Sequence, residues 1–154
     1  MEIRTIDSKR EKSLICDTIL HALPDWFGIE SSIEEYIALV SEMPFWAVFF
    51  ENIPVGFAAL KIHFAKSAEV CVMGVLKEHH RRGIGRRLIS CCERFCRENG
   101  IEYLTVKTLD ESAKSTDYAK TREFYFSMDF CPLEVFPLLW DEHNPCLLLV
   151  KHLG

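Results

Sequence analysis

The stretch Val75-Leu-Lys-Glu-His-His-Arg-Arg-Gly-Ile-Gly-Arg-Arg-Leu88 passes from apolar residues through a basic, glycine-containing loop into an amphipathic helix. Just before it, Glu69-Val-Cys-Val-Met-Gly-Val-Leu76 carries apolar side chains on both alternating faces, which marks a strand buried on both sides near the middle of a sheet. Gly74 inside that run predicts a bulge or a close approach of another segment to the backbone. After the loop, Ile84, Leu88, Cys92, Phe95 and Cys96 recur at helical spacing as far as Asn99-Gly100, whose glycine is a natural stop. A helix that begins behind such a loop offers unpaired backbone N–H groups and the positive end of its dipole, and phosphate oxygens are stabilised by both. Gly83 and Gly85 let a polyanion approach that backbone, although two glycines serve a plain tight turn equally well.

Outward from this core, Tyr103 to Lys107 is the next strand, and a strand, helix and strand joined so tightly predict two parallel strands with a right-handed crossover. Leu109 to Thr116 is a polar loop. Thr116 or Asp117 then caps a helix whose apolar face is Thr121, Phe124, Tyr125 and Met128. Leu133 to Trp140 and Cys146 to Val150 supply two closing strands. On the N-terminal side, Phe45 to Phe50 and Val55 to Phe64 are rich in aromatic and branched residues, and with the turn Glu51-Asn52-Ile53-Pro54 they read as an antiparallel hairpin. Glu2 to Ile6 is a strand, and Asp7-Ser8 caps a helix through Ala22 that bears Ile15, Ile19 and Leu20. Pro24 and Gly28 break the pattern before Ser31-Ser32 opens a second helix with Ile33, Tyr36, Ile37 and Val40, ending near Glu42-Met43-Pro44. The order predicts an α/β protein of one domain spanning 1–154, a mixed sheet with helices on both faces, with no repeat or linker.

The chain has 154 residues, 49% of them hydrophobic and 27% charged, which is the mix of a soluble globular protein. No segment approaches the apolar length of a membrane span, and the charged start MEIRTIDSKREK does not read as a secretory signal, so a cytoplasmic protein is expected. Its seven cysteines, an odd count without framework spacing, fit a reducing compartment. Cys91, Cys92 and Cys96 do not read as a metal site, because Cys92 and Cys96 fall on the apolar stripe of a helix rather than across a turn. The net charge of −5 hides a local +4 between Lys77 and Arg87. One compact basic cluster on an acidic chain matches a small polyanionic ligand better than nucleic acid, which asks for a basic face or stripe. The polyanion is not held by a Rossmann fingerprint, since Leu88 stands where a third glycine or alanine is required, nor by a P-loop, since no Gly-Lys-Ser/Thr follows.

Ala68-Glu-Val-Cys-Val-Met-Gly-Val75 followed by His80-Arg-Arg-Gly-Ile-Gly85 resembles motif A of the GNAT superfamily of acetyl-CoA-dependent N-acetyltransferases, whose loop reads Gln/Arg-x-x-Gly-x-Gly/Ala. Thr121-Arg-Glu-Phe-Tyr-Phe-Ser-Met-Asp-Phe130 resembles the family's later helix, Ala-x-x-Phe-Tyr-x-x-x-Gly-Phe. The resemblance covers nearly the whole chain and implies a central mixed, mostly antiparallel sheet splayed at a parallel strand pair. It departs from the family at His80, at Thr121 and at Asp129, where a glycine usually ends the helix; Asp tolerates the left-handed conformation better than most residues. It implies that acetyl-CoA is the cosubstrate, with no metal. The backbone of Met73, Gly74 and Val75 would receive the pantetheine arm, and the N–H groups of Arg81, Arg82, Gly83, Ile84, Gly85 and Arg86 the pyrophosphate. His80 takes the place of a side-chain contact. Glu69 matches the glutamate that acts as base or leads to one, and Tyr125 the tyrosine that protonates the departing thiolate.

Without the resemblance, Glu69 reads equally as a solvent-facing carboxylate at the start of a strand, and Tyr125 as a ring packed on Met128. Phe124 and Tyr125 lie about 100° apart on their helix, so Phe124 is expected in the core and Tyr125 at the mouth of a cleft. Cys71 lacks a basic partner that would make a thiolate and reads as core, while His79 and His80 read as loop residues. The acceptor amine is not legible, although Trp26, Trp140 and several acids suit a cation. Apolar late strands support a homodimer. A non-catalytic acyl-CoA-binding sensor or interaction module is the alternative from another functional class.

Overall fold

The computed structural model describes residues 1–154. In chain order the elements are β1 (Glu2–Thr5), α1 (Lys9–His21), α2 (Glu30–Val40), β2 (Phe45–Phe50), β3 (Ile53–Phe64), β4 (Ser67–Val75), α3 (Ile84–Glu98), β5 (Tyr103–Leu109), α4 (Thr116–Ser127), β6 (Cys131–Asp141) and β7 (Asn144–His152). Short 3₁₀ turns occupy Lys77–His79 and Glu111–Ala113. The seven strands follow the order β1-β2-β3-β4-β5-β7-β6 in a mostly antiparallel sheet whose one parallel pair is β4 with β5. Contacts gather in two compact units, Met1–Lys61 with Val70–Phe95 and Ile62–Glu69 with Cys96–Gly154. No helix is long and apolar enough to cross a membrane.

In the first unit, Ser8 caps α1 by accepting a hydrogen bond from the Glu11 N–H at 3.2 Å, and Ile15, Ile19 and Leu20 are buried along one face. Helix α2 begins at Glu30, ahead of the expected Ser31-Ser32 start, because Ile29 is already extended and caps through its backbone alone. The β2–β3 turn is also shorter than expected. Glu51 and Asn52 both take positive φ (51° and 64°), the requirement of a two-residue type I′ hairpin, so Ile53 and Pro54 belong to β3. Pro54 pairs with Phe49 and Gly56 with Val48, leaving Val55 as a bulge that lets a residue without an N–H stay in the strand. Phe45 and Phe57 stack at 5.2 Å in the core beneath α1. A Cβ on Gly74 would come within 3.1 Å of Ile19 Cγ2 and 3.2 Å of Leu23 Cδ1, so this glycine serves the close approach of β4 to the first helix.

In the second unit, β7 lies antiparallel between β5 and β6. The strands run further than expected because the Asp141 carboxylate closes the β6–β7 turn, accepting from the His143 N–H at 2.8 Å and from Asn144 Nδ2 at 3.0 Å. Ser115, rather than Thr116 or Asp117, caps α4, accepting from the Tyr118 N–H at 3.3 Å. The loop before it is ordered by Asp110, whose carboxylate accepts from the Ser112 N–H and hydroxyl and is thereby held below the usual carboxylate range. Strand β6 ends the sheet and exposes Leu133 and Leu138.

Candidate active site

The loop between β4 and α3 is shaped by two left-handed residues, Arg81 (φ 63°) and Gly83 (φ 75°). The Arg87 N–H bonds to the Gly83 carbonyl at 3.1 Å, so the N–H groups of Ile84, Gly85 and Arg86 lie ahead of the first intrahelical bond. A Cβ on Gly83 would meet nothing within 4 Å. Its need for glycine is therefore conformational, and the space over its backbone is open. Gly85 differs from the two-glycine turn of the sequence reading, because it is already part of α3.

His80 lies at the head of this loop, where its Nε2–H donates to the Val75 carbonyl at 2.7 Å. The ring meets Trp26 edge-on at 5.5 Å. Since a carbonyl only accepts, the proton of the neutral ring is on Nε2. The departure from Gln or Arg thus has a structural role: His80 fastens the loop to the end of β4. Gly56 is a supporting residue that sequence reasoning missed. A Cβ there would lie 3.1 Å from Ile84 Cγ2 and 3.3 Å from the Gly74 carbonyl, so β3 must present a glycine beneath the start of α3. Along β4, Val72 and Gly74 are buried while Met73 and Val75 are half-buried. Arg81, Arg82 and Arg86 are exposed, Arg82 lying 3.5 Å from His79. Lys77 is 3.7 Å from Asp25.

Glu69 and Tyr125 belong to the second unit. Glu69 is not the solvent-facing carboxylate that its position allowed: its side chain is 9% exposed, and Oε1 accepts from His63 Nε2 at 2.7 Å and from Lys107 Nζ at 3.4 Å. Neither partner was singled out from the sequence. His63 and Glu69 flank the tight turn Ala65-Lys66, the one signal that brings them together. Cys146 lies in the same electrostatic neighbourhood, its thiol pushed up to about 11 by burial, with Lys107 opposing and Glu69 adding to the shift.

Tyr125 is 6% exposed and packs edge-on against Phe130 at 5.6 Å, while Phe124 is only half-buried. This reverses the expected placing of the two rings. The cause is the end of α4. Asp129 adopts the left-handed conformation (φ 69°) expected of it in place of glycine, and the Phe130 N–H returns to the Tyr125 carbonyl at 3.1 Å, folding the Phe130 ring over Tyr125. Three residues earlier, buried Arg122 donates from Nη1 to the Leu109 carbonyl at 2.7 Å and ties α4 to the end of β5, a contact the sequence did not reveal. Of the remaining cysteines, Cys131 is exposed on β6 and donates to the Val150 carbonyl at 3.5 Å. Cys92 and Cys96 are buried, Cys71 packs against the core, and burial pushes the Cys16 thiol up to about 12.

The family model described as the acetyltransferase (GNAT) family matches residues 14–124. No curated protein matches the chain significantly. Among solved structures, a GNAT-family protein from Desulfovibrio desulfuricans is similar with a TM-score of 0.85 at 15% identity, covering 99% of both chains. An aminoglycoside 6'-N-acetyltransferase complexed with coenzyme A gives a TM-score of 0.76 at 18% identity, over 100% of this chain and 98% of the other. The aminoglycoside 6'-N-acetyltransferase from Enterococcus faecium gives 0.73 at 20% identity over the same shares. The chain belongs to the acetyltransferase (GNAT) family.

Proposed function

We propose that this family member is an acetyl-CoA-dependent N-acetyltransferase that passes the acetyl group to a primary amine of a small molecule or peptide, by direct attack within a ternary complex. The observation that carries the reading is the loop in which Arg81 and Gly83 turn left-handed ahead of the open N-terminus of α3. Successive N–H groups at a helix start favour phosphate oxygens, and the space over Gly83 admits one to the backbone. That a similar fold is found with coenzyme A supports the same choice of ligand.

In this reading the N–H groups of Arg81 to Arg86 hold the pyrophosphate and the exposed Arg81, Arg82 and Arg86 add positive charge. Met73, Gly74 and Val75 receive the pantetheine arm along β4. The Val75 carbonyl already accepts from His80, which fixes the strand end before any ligand arrives. Acetyl-CoA supplies an activated thioester carbonyl. A protonated amine is no nucleophile, so the chain must remove a proton, and that removal depends on Glu69; the Tyr125 hydroxyl supplies the proton that the leaving thiolate needs. For the acceptor, a cationic amine suits a chain with net charge −5. The exposed apolar edge of β6 supports a homodimer, to be checked by sedimentation.

The test is an acceptor screen with release of free thiol and mass detection of the product. Spermidine, kanamycin and a short peptide with a free N-terminus sample the three amine classes. An N-acetylated product accompanied by stoichiometric thiol supports the reading. Acetyl-CoA binding without thiol release from any amine refutes it in favour of the sensor.

A further inference from the structure

The geometry points to His63, held by Glu69, as the group that takes the proton from the acceptor amine. This rests on the N-acetyltransferase reading and changes which side chain performs the step. Glu69 Oε1 is shared by two donors, His63 Nε2 at 2.7 Å and Lys107 Nζ at 3.4 Å, and its side chain is 9% exposed. With Oε1 engaged by two donors and its side chain turned from solvent, Glu69 is placed to hold its partners rather than to meet the acceptor amine. The His63 side chain, in contrast, is 33% exposed and that of Lys107 34%, and of these two solvent-reachable partners only a neutral imidazole offers a lone pair, since an ammonium has no acceptor.

The hydrogen-bond direction decides which ring atom is available. Glu69 accepts, so in the neutral ring Nε2 carries the hydrogen and Nδ1 keeps its lone pair. The step is a simple proton transfer. The N–H bond of the ammonium breaks, its electron pair stays on the amine nitrogen, and the proton forms a new N–H bond at His63 Nδ1. The resulting imidazolium lies against the Glu69 carboxylate, and its exposed edge returns the proton to water. Glu69 thereby acts as an orienting carboxylate of the kind that fixes a catalytic imidazole elsewhere. Lys107, from β5, positions Glu69 in turn. The other titratable neighbour, Cys146, is no competitor, because its thiol is held at about 11.

The test uses the full chain with acetyl-CoA and whichever of spermidine, kanamycin or the peptide is acetylated. His63→Ala should lower kcat/KM by about 10²-fold or more while leaving acetyl-CoA affinity, read by calorimetry, unchanged. Free imidazole should restore a substantial part of the loss, since the vacated site is partly open to solvent. Independently of turnover, ¹⁵N NMR of the histidine rings in the ligand-free protein should show the neutral His63 ring protonated on Nε2, with that preference lost in Glu69→Ala. A His63→Ala rate within about twofold of the parent, or a parent ring protonated on Nδ1, overturns the inference and leaves Glu69 as the base. A parent inactive on every amine overturns the N-acetyltransferase reading itself, and the inference with it.

Discussion

Gly83→Ala isolates the proposed phosphate cradle from ordinary folding effects, because a matched control exists in the same chain. Gly83 and Gly100 have nearly the same positive φ (75° and 72°), and a Cβ at either meets no atom within 4 Å. Each alanine therefore costs the left-handed strain of an L-residue, roughly 1–2 kcal/mol, with no clash added. At about 2–4 °C per kcal/mol for a chain of this size, calorimetry should show both variants melting a few degrees lower, by similar amounts. Their ligand binding should part. The Gly83 methyl occupies the space through which a phosphate oxygen reaches the backbone, whereas Gly100 follows the far end of α3. Loss of one charge-assisted hydrogen bond is worth about 1.5–3 kcal/mol, so Gly83→Ala should weaken acetyl-CoA binding by roughly 10–100-fold while Gly100→Ala binds as the parent does. Titration calorimetry of the folded variants reads this directly. Equal affinities for Gly83→Ala and Gly100→Ala would remove the loop from the binding site.

Tyr125→Phe keeps the ring against Phe130 and should reduce kcat by about 10²-fold or more with little change in acetyl-CoA affinity; a kcat within about twofold, with chemistry rate-limiting, would put the proton donor elsewhere. Asp129→Gly removes a left-handed strain at φ 69° and should raise stability by up to about 1 kcal/mol in urea unfolding, unless a lower midpoint shows that the aspartate side chain matters more than its backbone. His21 joins α1 to α2, with Nε2 2.9 Å from Glu30 and Nδ1 2.7 Å from Asp17, and its pKa is raised to about 9, first by Glu30 and then by Asp17. A raised histidine pKa stabilises the fold below the unfolded value near 6.5, and the contribution fades as pH rises through about 9. The melting temperature of the parent should therefore exceed that of His21→Gln at about pH 6 and converge with it near pH 10; a constant gap would contradict the charge-based account.

The legible parts of the fold were those written in local pattern. The doubly apolar run Glu69 to Leu76, the helical spacing from Ile84 to Cys96 and the stop at Gly100 each depend on neighbours within a few residues, and β4 and α3 lie where they predict. The errors fall where a terminus is decided by backbone geometry. Ile29 caps α2 without a side-chain bond, so no Ser or Asp marked the start. At Glu51-Asn52 the I′ turn needed only two residues, and Pro54, read as a turn residue, was accommodated by the Val55 bulge.

For the candidate site, the same division separates backbone from side chains. The turn ahead of α3 was readable because a glycine with positive φ before a helix is a local event, and Gly83 is one. Side-chain partnership is not local. Glu69 could be solvent-facing or buried with equal right until the strands beside it were known, and what settles its environment is a histidine across a turn and a lysine thirty-eight residues later. Glu69 Oε1 is held by both partners, so any role proposed for it from family position is tested together with His63 and Lys107. Tyr125 shows the converse. Helical spacing put Phe124 inside and Tyr125 outside, yet the left-handed Asp129 turned Phe130 back over the tyrosine and buried it. Enclosure of the ring fits a packed aromatic and a positioned proton donor alike, and Tyr125→Phe, which keeps the ring and removes only the hydroxyl, separates the two.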